Sequence, residues 1–234
     1  MSPPLLSLRG LVKNYQALRP LRVADLTIRE GEVVVLKGLD APAAETFVAL
    51  LTAATLPDEG DVDLFGQRTG AIEDHEGWLH MLDGLGILTE RAVLLDPLTV
   101  LQNAALPFTL ELDPVPPGLR PQVEAVLTEV GLAADTWERP VGACGAVVKA
   151  RVRLARAVAL GPRLVIAEHP TAGLPREAVD AFGDDLAALV RRRGVALVAI
   201  SADDAFAARL GGTMLTHDAK SGAFRAGGFL SRWF

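Results

Sequence analysis

The sequence predicts an α/β protein built on a parallel sheet, and three observations carry that reading. Leu164 to Ala167 is an unbroken apolar run, the pattern of a strand covered on both faces. It ends in Glu168-His169 and breaks at Pro170, which puts polar groups at the carboxyl end of a strand, where sites gather in open α/β sheets. Upstream, Val147 to Leu160 has the composition of a helix that Gly161 and Pro162 stop. Near the start, Glu32 to Lys37, with four apolar residues at its heart, runs into the turn Gly38-Leu39-Asp40-Ala41-Pro42 and then a helical pattern from Ala43 to about Ala54. Strand, glycine turn and helix in that order form the first half of a nucleotide-binding layout.

Composition bounds the rest. With 234 residues, 50% of them apolar, the chain can bury one large core or one core with a lobe attached. The net charge of −6 argues against a general binder of nucleic acid or anionic membrane. A lone cysteine, Cys144, leaves no intrachain disulfide. No apolar run reaches the roughly 20 residues that span a bilayer, and the opening residues lack the layout of a signal peptide, so work at a membrane would need a partner to hold the chain there.

The remaining elements follow in order. Leu5 to Leu11 and Val23 to Ile28 alternate as an antiparallel strand pair, and Asp61 to Phe65 and Leu85 to Leu88 are further strands. Gly70 to Asp83 is acidic and reads as a solvated loop, whose His75 and His80 suit water better than a metal. Leu112 to Pro121, rich in proline, reads as a linker between lobes, followed by an amphipathic helix through Val123, Val126, Leu127 and Val130. Val179, Phe182, Leu186, Leu189 and Val190 recur at helical spacing up to Arg191-Arg192-Arg193 and Gly194, a basic helix end with a glycine stop. Val195 to Ile200 is another buried strand. Thr213 to Phe224 reads as a hairpin turning near Lys220-Ser221-Gly222, and Trp233 and Phe234 in the tail suit packing on the body or a partner.

The order of these pieces resembles the ATP-binding subunit of ABC transporters over nearly the whole chain. Five blocks carry it: Leu6 to Tyr15, Leu26 to Glu32, Leu94 to Pro107, Arg151 to Ala157, and Pro170 to Leu174. The third is nearest to the lipoprotein-release and macrolide-export group. The resemblance implies a P-loop NTPase-like ABC ATPase core with a parallel sheet, an N-terminal antiparallel β subdomain and a helical lobe. The core would cover about 1–88 and 147–234 of a single domain, and the lobe about 89–146. It also implies a membrane permease as partner, docked in the groove around Glu90 to Pro107, and a dimer of cassettes, either two copies or this chain with a competent ATPase.

The family's chemical positions map onto a changed set of residues. A phosphate loop needs close backbone N–H groups, a lysine for the terminal phosphates and a hydroxyl for magnesium. Gly38 fits the first position, but the second glycine falls on Ala43, the lysine on Ala44 and the hydroxyl on Glu45. Glu45 and Asp40 should repel a triphosphate by on the order of several kcal/mol, and Glu45 can serve instead as a built-in replacement for phosphate or as a plain surface residue. Lys37 either reaches phosphate from its strand end or is a solvent-facing or salt-bridged lysine. Were nucleotide to bind, Tyr15 would stack on the adenine, with Gly38 and Thr46 at the phosphates.

The family's magnesium-sensing glutamine maps to Glu90. Its signature loop maps to Gly145, Ala146 and Val147, where β-branched side chains crowd the approach to a partner's nucleotide. Its Asp-Glu pair becomes Glu168 and His169, which leaves Glu168 as the one candidate metal ligand and His169 as the one candidate base. The later Asp and the sensing His become Pro175 and Ala202. Phosphoryl transfer rests on positioning and charge, so each lost donor costs roughly a hundredfold. The resulting expectation is a cassette frame without catalysis, a pseudo-ATPase with no resident cofactor. Two alternatives stay open: an active ATPase with displaced groups (Glu168 on Mg²⁺, His169 as base, Lys37 on phosphate), and a regulatory protein that reuses the fold.

Overall fold

Alternation along the first strands sets one face of each towards a core. β1 (Leu6–Lys13) and β2 (Leu21–Ile28) pair antiparallel, Leu6 opposite Ile28 and Leu11 opposite Val23. β3 (Val33–Lys37) leaves them for a second sheet and leads into α1 (Ala41–Leu51). β4 (Glu59–Leu64) and the short β5 (Gln67–Arg68) return to the first sheet, whose order is β2-β1-β4-β5. The β1–β4 register shifts between Arg9 and Val12, at Gly60. Gly60 has φ 80°, and a Cβ there would strike the carbonyl oxygens of Arg9 and Gly10, so the bulge needs glycine. This is a computed structural model, and it describes residues 3–226; the tail reading of Trp233 and Phe234 lies outside them.

The second sheet carries the site. α2 (His75–Asp83) precedes β6 (Leu85–Thr89); α3 (Val100–Ala105), α4 (Arg120–Glu129) and α5 (Ala146–Val158) follow. Then come β7 (Leu164–Glu168), α6 (Arg176–Arg193), β8 (Ala196–Ile200), α7 (Asp204–Leu210), β9 (Thr213–His217) and β10 (Phe224–Ala226). The order is β10-β9-β3-β8-β7-β6, parallel except for the β9–β10 hairpin. β7 and β8 are buried at every residue, as their apolar runs require.

The pleat divides that sheet's side chains between two cores. Val34, Leu36, Ile166, Val198 and Ile200 pack with α1 and the antiparallel sheet. Val35, Val165, Ala167, Leu197 and Ala199 pack on the opposite face with α5, α6 and the helices of the lobe. α6 ends at Gly194 in the left-handed region, as its sequence predicted.

Two expectations need correction. The acidic stretch 70–83 is not a loop: after a short 3₁₀ turn it forms α2, capped by the Asp74 carboxylate accepting from the Gly77 N–H at 2.7 Å. The helix is held by Met81 in the core and by Trp78 Nε1 donating to the Thr52 carbonyl. Its apolar residues are too few to show a period, and the anchoring bond is tertiary. The proline-rich stretch 112–121 does not separate lobes either. It joins α3 to α4 within the lobe, with Val115 buried and the Leu112 carbonyl accepting from Gln102 Nε2.

Asn103 is fully buried in the lobe. Its amide donates to the carbonyls of Leu95, Leu98 and Thr99, and its oxygen accepts from the Leu95 N–H. Asn103→Ala orphans those groups and should cost about 2–4 kcal/mol in urea unfolding, with amide exchange rising first in 94–106.

Glu129, at the end of α4, is clamped by Arg193 and Arg192 at the end of α6. Hydrogen bonding from Arg193 holds its carboxyl below the usual range, against the pull of burial. A depressed folded-state pKa adds stability above the unfolded value and loses it as pH falls through the folded one. Melting temperature should therefore fall below about pH 4.5, the ordinary carboxyl value, and Glu129→Gln should flatten that part of the profile.

Candidate functional site

The carboxyl ends of β3, β6, β7 and β8 meet the start of α1 around an open cleft of about 450 Å³, lined among others by Asp40, Glu45, Glu90, Arg91, Glu168, His169 and Ala202. Strand register builds it. Thr89 lies opposite Glu168 across β6 and β7, so the next residues on each strand, Glu90, Arg91 and His169, emerge together.

Arg91 is the centre of charge. One guanidinium nitrogen meets Glu45 Oε1 at 2.5 Å and the other meets Glu168 Oε2 at 2.6 Å. Glu168 is 5% exposed, so Arg91 supplies the positive charge that a buried carboxylate requires. Beside it, the Gly173 N–H donates to Glu90 Oε1 at 2.5 Å, and a Cβ on Gly173 would collide with that carboxylate. Consecutive residues of the β6 exit are thus tied to α1, β7 and the loop after β7.

The start of α1 is closed by its own chain. Asp40 is the N-cap: its carboxylate accepts from the Ala43 N–H at 2.9 Å and its carbonyl from the Ala44 N–H at 2.8 Å. Pro42, in the first turn, has no N–H to offer. Of the first-turn positions, then, Pro42 has no donor and the Ala43 N–H is already taken by the Asp40 carboxylate, which reduces what the helix start can offer an anion. The Thr46 hydroxyl donates back to the Pro42 carbonyl at 2.8 Å, and Ala44 is fully buried. Lys37 turns to Asp204 in the first turn of α7, the salt-bridged one of its readings.

His169 has φ 43°, a left-handed conformation unusual for a residue with a Cβ, and its buried Nε2 has no partner among the described residues. Tyr15 packs against the core under the antiparallel sheet; burial and then the Asp40 charge raise its pKa. Asp203 caps α7. Burial works to raise its pKa, but the Phe206 N–H, the Arg176 guanidinium and the Ala205 N–H outweigh that and lower it. Among the described residues no group of three or more His, Cys, Asp or Glu side chains is arranged to hold a metal ion.

Comparison with known proteins fits this architecture. The family model described as ABC transporter matches residues 21–172, well over half the chain. The chain belongs to the ABC transporter family. It is 30% identical over 213 residues to the lipoprotein-releasing system ATP-binding protein LolD of Anaeromyxobacter dehalogenans, covering 89% of each chain. It is 26% identical to LolD 1 of Caulobacter vibrioides, covering 91% of this chain and 92% of that one. The solved structure of CbiO1 from Clostridium perfringens, part of the ABC transporter complex CbiONQ, superposes with a TM-score of 0.77 at 18% identity over 96% of this chain and 88% of that one. The fold is the ABC cassette: a parallel sheet, an antiparallel N-terminal sheet and a helical lobe.

In this cassette the mapped positions fall in three places. Gly38, Ala43, Ala44, Glu45, Thr46, Glu90, Glu168, His169 and Ala202 lie on or beside the cleft. Gly145, Ala146 and Val147 lie at the start of α5; Gly145 is an N-cap without a side-chain bond, and Val148 packs into the core. Pro175 is the N-cap residue of α6. The residue that sequence reasoning missed is Arg91. Nothing local in the sequence marked it, because its partners Glu45 and Glu168 lie far along the chain.

Arg91→Met strips the counter-charge from Glu168 and should cost about 1–3 kcal/mol, discounted for the half-exposed guanidinium. Arg91→Met with Glu168→Gln should recover part of that loss. In a urea-denaturation double-mutant cycle, strict additivity would show that the pair is not coupled.

Proposed function

We propose that this chain is a catalytically degenerate nucleotide-binding-domain-like subunit. It keeps the cassette frame in order to dock on a membrane permease, to pair with a competent ATPase, or both. The observation that carries the reading is Arg91 held between Glu45 and Glu168, at the positions where the family places its magnesium-binding hydroxyl and carboxylate. The Asp40 cap supports it, because its carboxylate already takes the Ala43 N–H and places a negative charge at the start of α1. Asp40, Glu45, Glu90 and Glu168 also outnumber Arg91 around the cleft, a field opposed to a triphosphate.

The likeness to lipoprotein-releasing ATP-binding proteins supports a permease of that kind as partner. Among the described residues no helix is long and apolar enough to cross a membrane, so this subunit would sit on the cytoplasmic face of the membrane through that partner. An active site of displaced groups finds less support, since Lys37 is engaged by Asp204.

Titration of the purified chain with labelled ATP and Mg²⁺ tests the reading. Saturation should not be reached at millimolar nucleotide, and phosphate release should not rise above buffer. Micromolar binding with turnover that Lys37→Ala or His169→Ala abolishes would establish the displaced-group enzyme instead.

A further inference from the structure

The lobe is carried between β6 and α5, and charged side chains tie it to the core at two separated points. At the carboxyl ends of the strands, Arg91 bridges Glu45 on α1 and Glu168 on β7, while Glu90 accepts from the Gly173 N–H. At the far end of α4, Glu129 is clamped by Arg193 and Arg192 at the end of α6. α6 leaves β7 at its carboxyl end and returns to the start of β8, so Arg193 lies at the amino ends of the strands. Beside that clamp, Arg151 of α5 donates to the Val130 carbonyl and pairs with Asp185 of α6.

Between the two points the contact is apolar: Leu101, Val123 and Leu127 of the lobe share one buried cluster with Ala155 of α5 and with Val165 and Ala167 of β7. Burial of this kind is non-directional, so it holds lobe and core together without by itself selecting one angle. A guanidinium fork on a carboxylate is directional. Arg193 makes two bonds to Glu129, one of them from Nε at 2.9 Å, and a third to the Val158 carbonyl. The crossing chain after Arg91 lines a groove of about 350 Å³ beside β6, where Arg153 Nε donates to the Ala92 carbonyl at 3.1 Å and Arg156 to the Val93 carbonyl at 2.7 Å. Each residue from Glu90 to Val93 is thus bonded to the core.

We propose that the two clamps lock the lobe at one angle to the core, an angle set by the chain's own charges with no ligand required. A body pinned at one point swings about it. Pinned at opposite ends of the sheet, the lobe keeps only rotation about the line joining the pins, and the α5 bonds to Ala92 and Val93 oppose that. The inference goes beyond the proposed function and is read on the ligand-free chain, so the two can fail separately.

The test measures distances between spin labels in the full chain carrying Cys144→Ala, with labels at Gln122→Cys in α4 and Glu59→Cys in β4, both exposed. This parent should give one narrow peak. Arg91→Met or Glu129→Gln alone should broaden it, and the two together should abolish the single peak. A reference pair within the core, Glu59→Cys with Glu177→Cys, should stay narrow throughout. Circular dichroism and cooperative melting check each variant first. Should the double variant fail to fold, Arg91→Lys with Arg193→Lys, which keeps both charges and removes both forks, should broaden the peak in its place. A released variant as narrow as the parent would show that apolar packing sets the angle, and would overturn the proposal. So would a broad peak in the parent, or equal broadening of the reference pair. Broadening by Arg91→Met as large as that of the double variant would reduce the lock to one clamp and overturn the two-point assignment. With ATP and Mg²⁺ added, nucleotide binding at an unmoved peak would sink the degenerate-site reading and leave the lock standing; a moved peak would overturn the lock.

Discussion

A buried carboxylate at the end of a fully buried strand is the constraint on which the rest of the site depends. Glu168 is buried, and a buried charge is costly unless it is paired. In-register pairing of β6 with β7 brings Arg91 to it, and the same guanidinium reaches across to Glu45 on α1. Three elements distant in sequence are joined by one side chain. Because Arg91 leads directly into the chain that builds the lobe, the junction of core and lobe is tied down there.

Charge around the two grooves is arranged in opposite senses. The cleft at the strand ends is acidic and internally bonded, its single guanidinium already engaged twice. The groove beside the lobe is apolar and basic, its two guanidiniums engaged only by carbonyls. An acidic, self-satisfied pocket has little to gain from an anion, whereas an unneutralised basic one does.

Much of this was legible in the sequence, for identifiable reasons. The strands Leu164 to Ala167 and Val195 to Ile200 are fully buried and so carry unbroken apolar runs; α6 announces its end with three arginines and Gly194. What was not legible depends on partners far along the chain. α2 is fixed by a bond from Trp78 to Thr52, and its short polar sequence has no period of its own. Arg91 looks like any surface arginine until β6 is laid beside β7. Lys37 had more than one reading, and only the position of α7 decides between them. Local pattern predicts elements; charge pairing across elements does not show in it.

The early start of α1 bears on how such a chain could change. Asp40 caps a helix that begins at Ala41 and carries proline in its first turn, and Ala44 is fully buried. A lysine introduced at 44 would start inside the core, on a helix whose Ala43 N–H is already taken by Asp40, while Arg91 would still occupy the acids opposite. No single substitution then confers an advantage, since each needs the others in place first. Building a phosphate loop here would take coordinated changes at 40, 42, 44 and 91, because each of those positions is already committed to a bond or to the core.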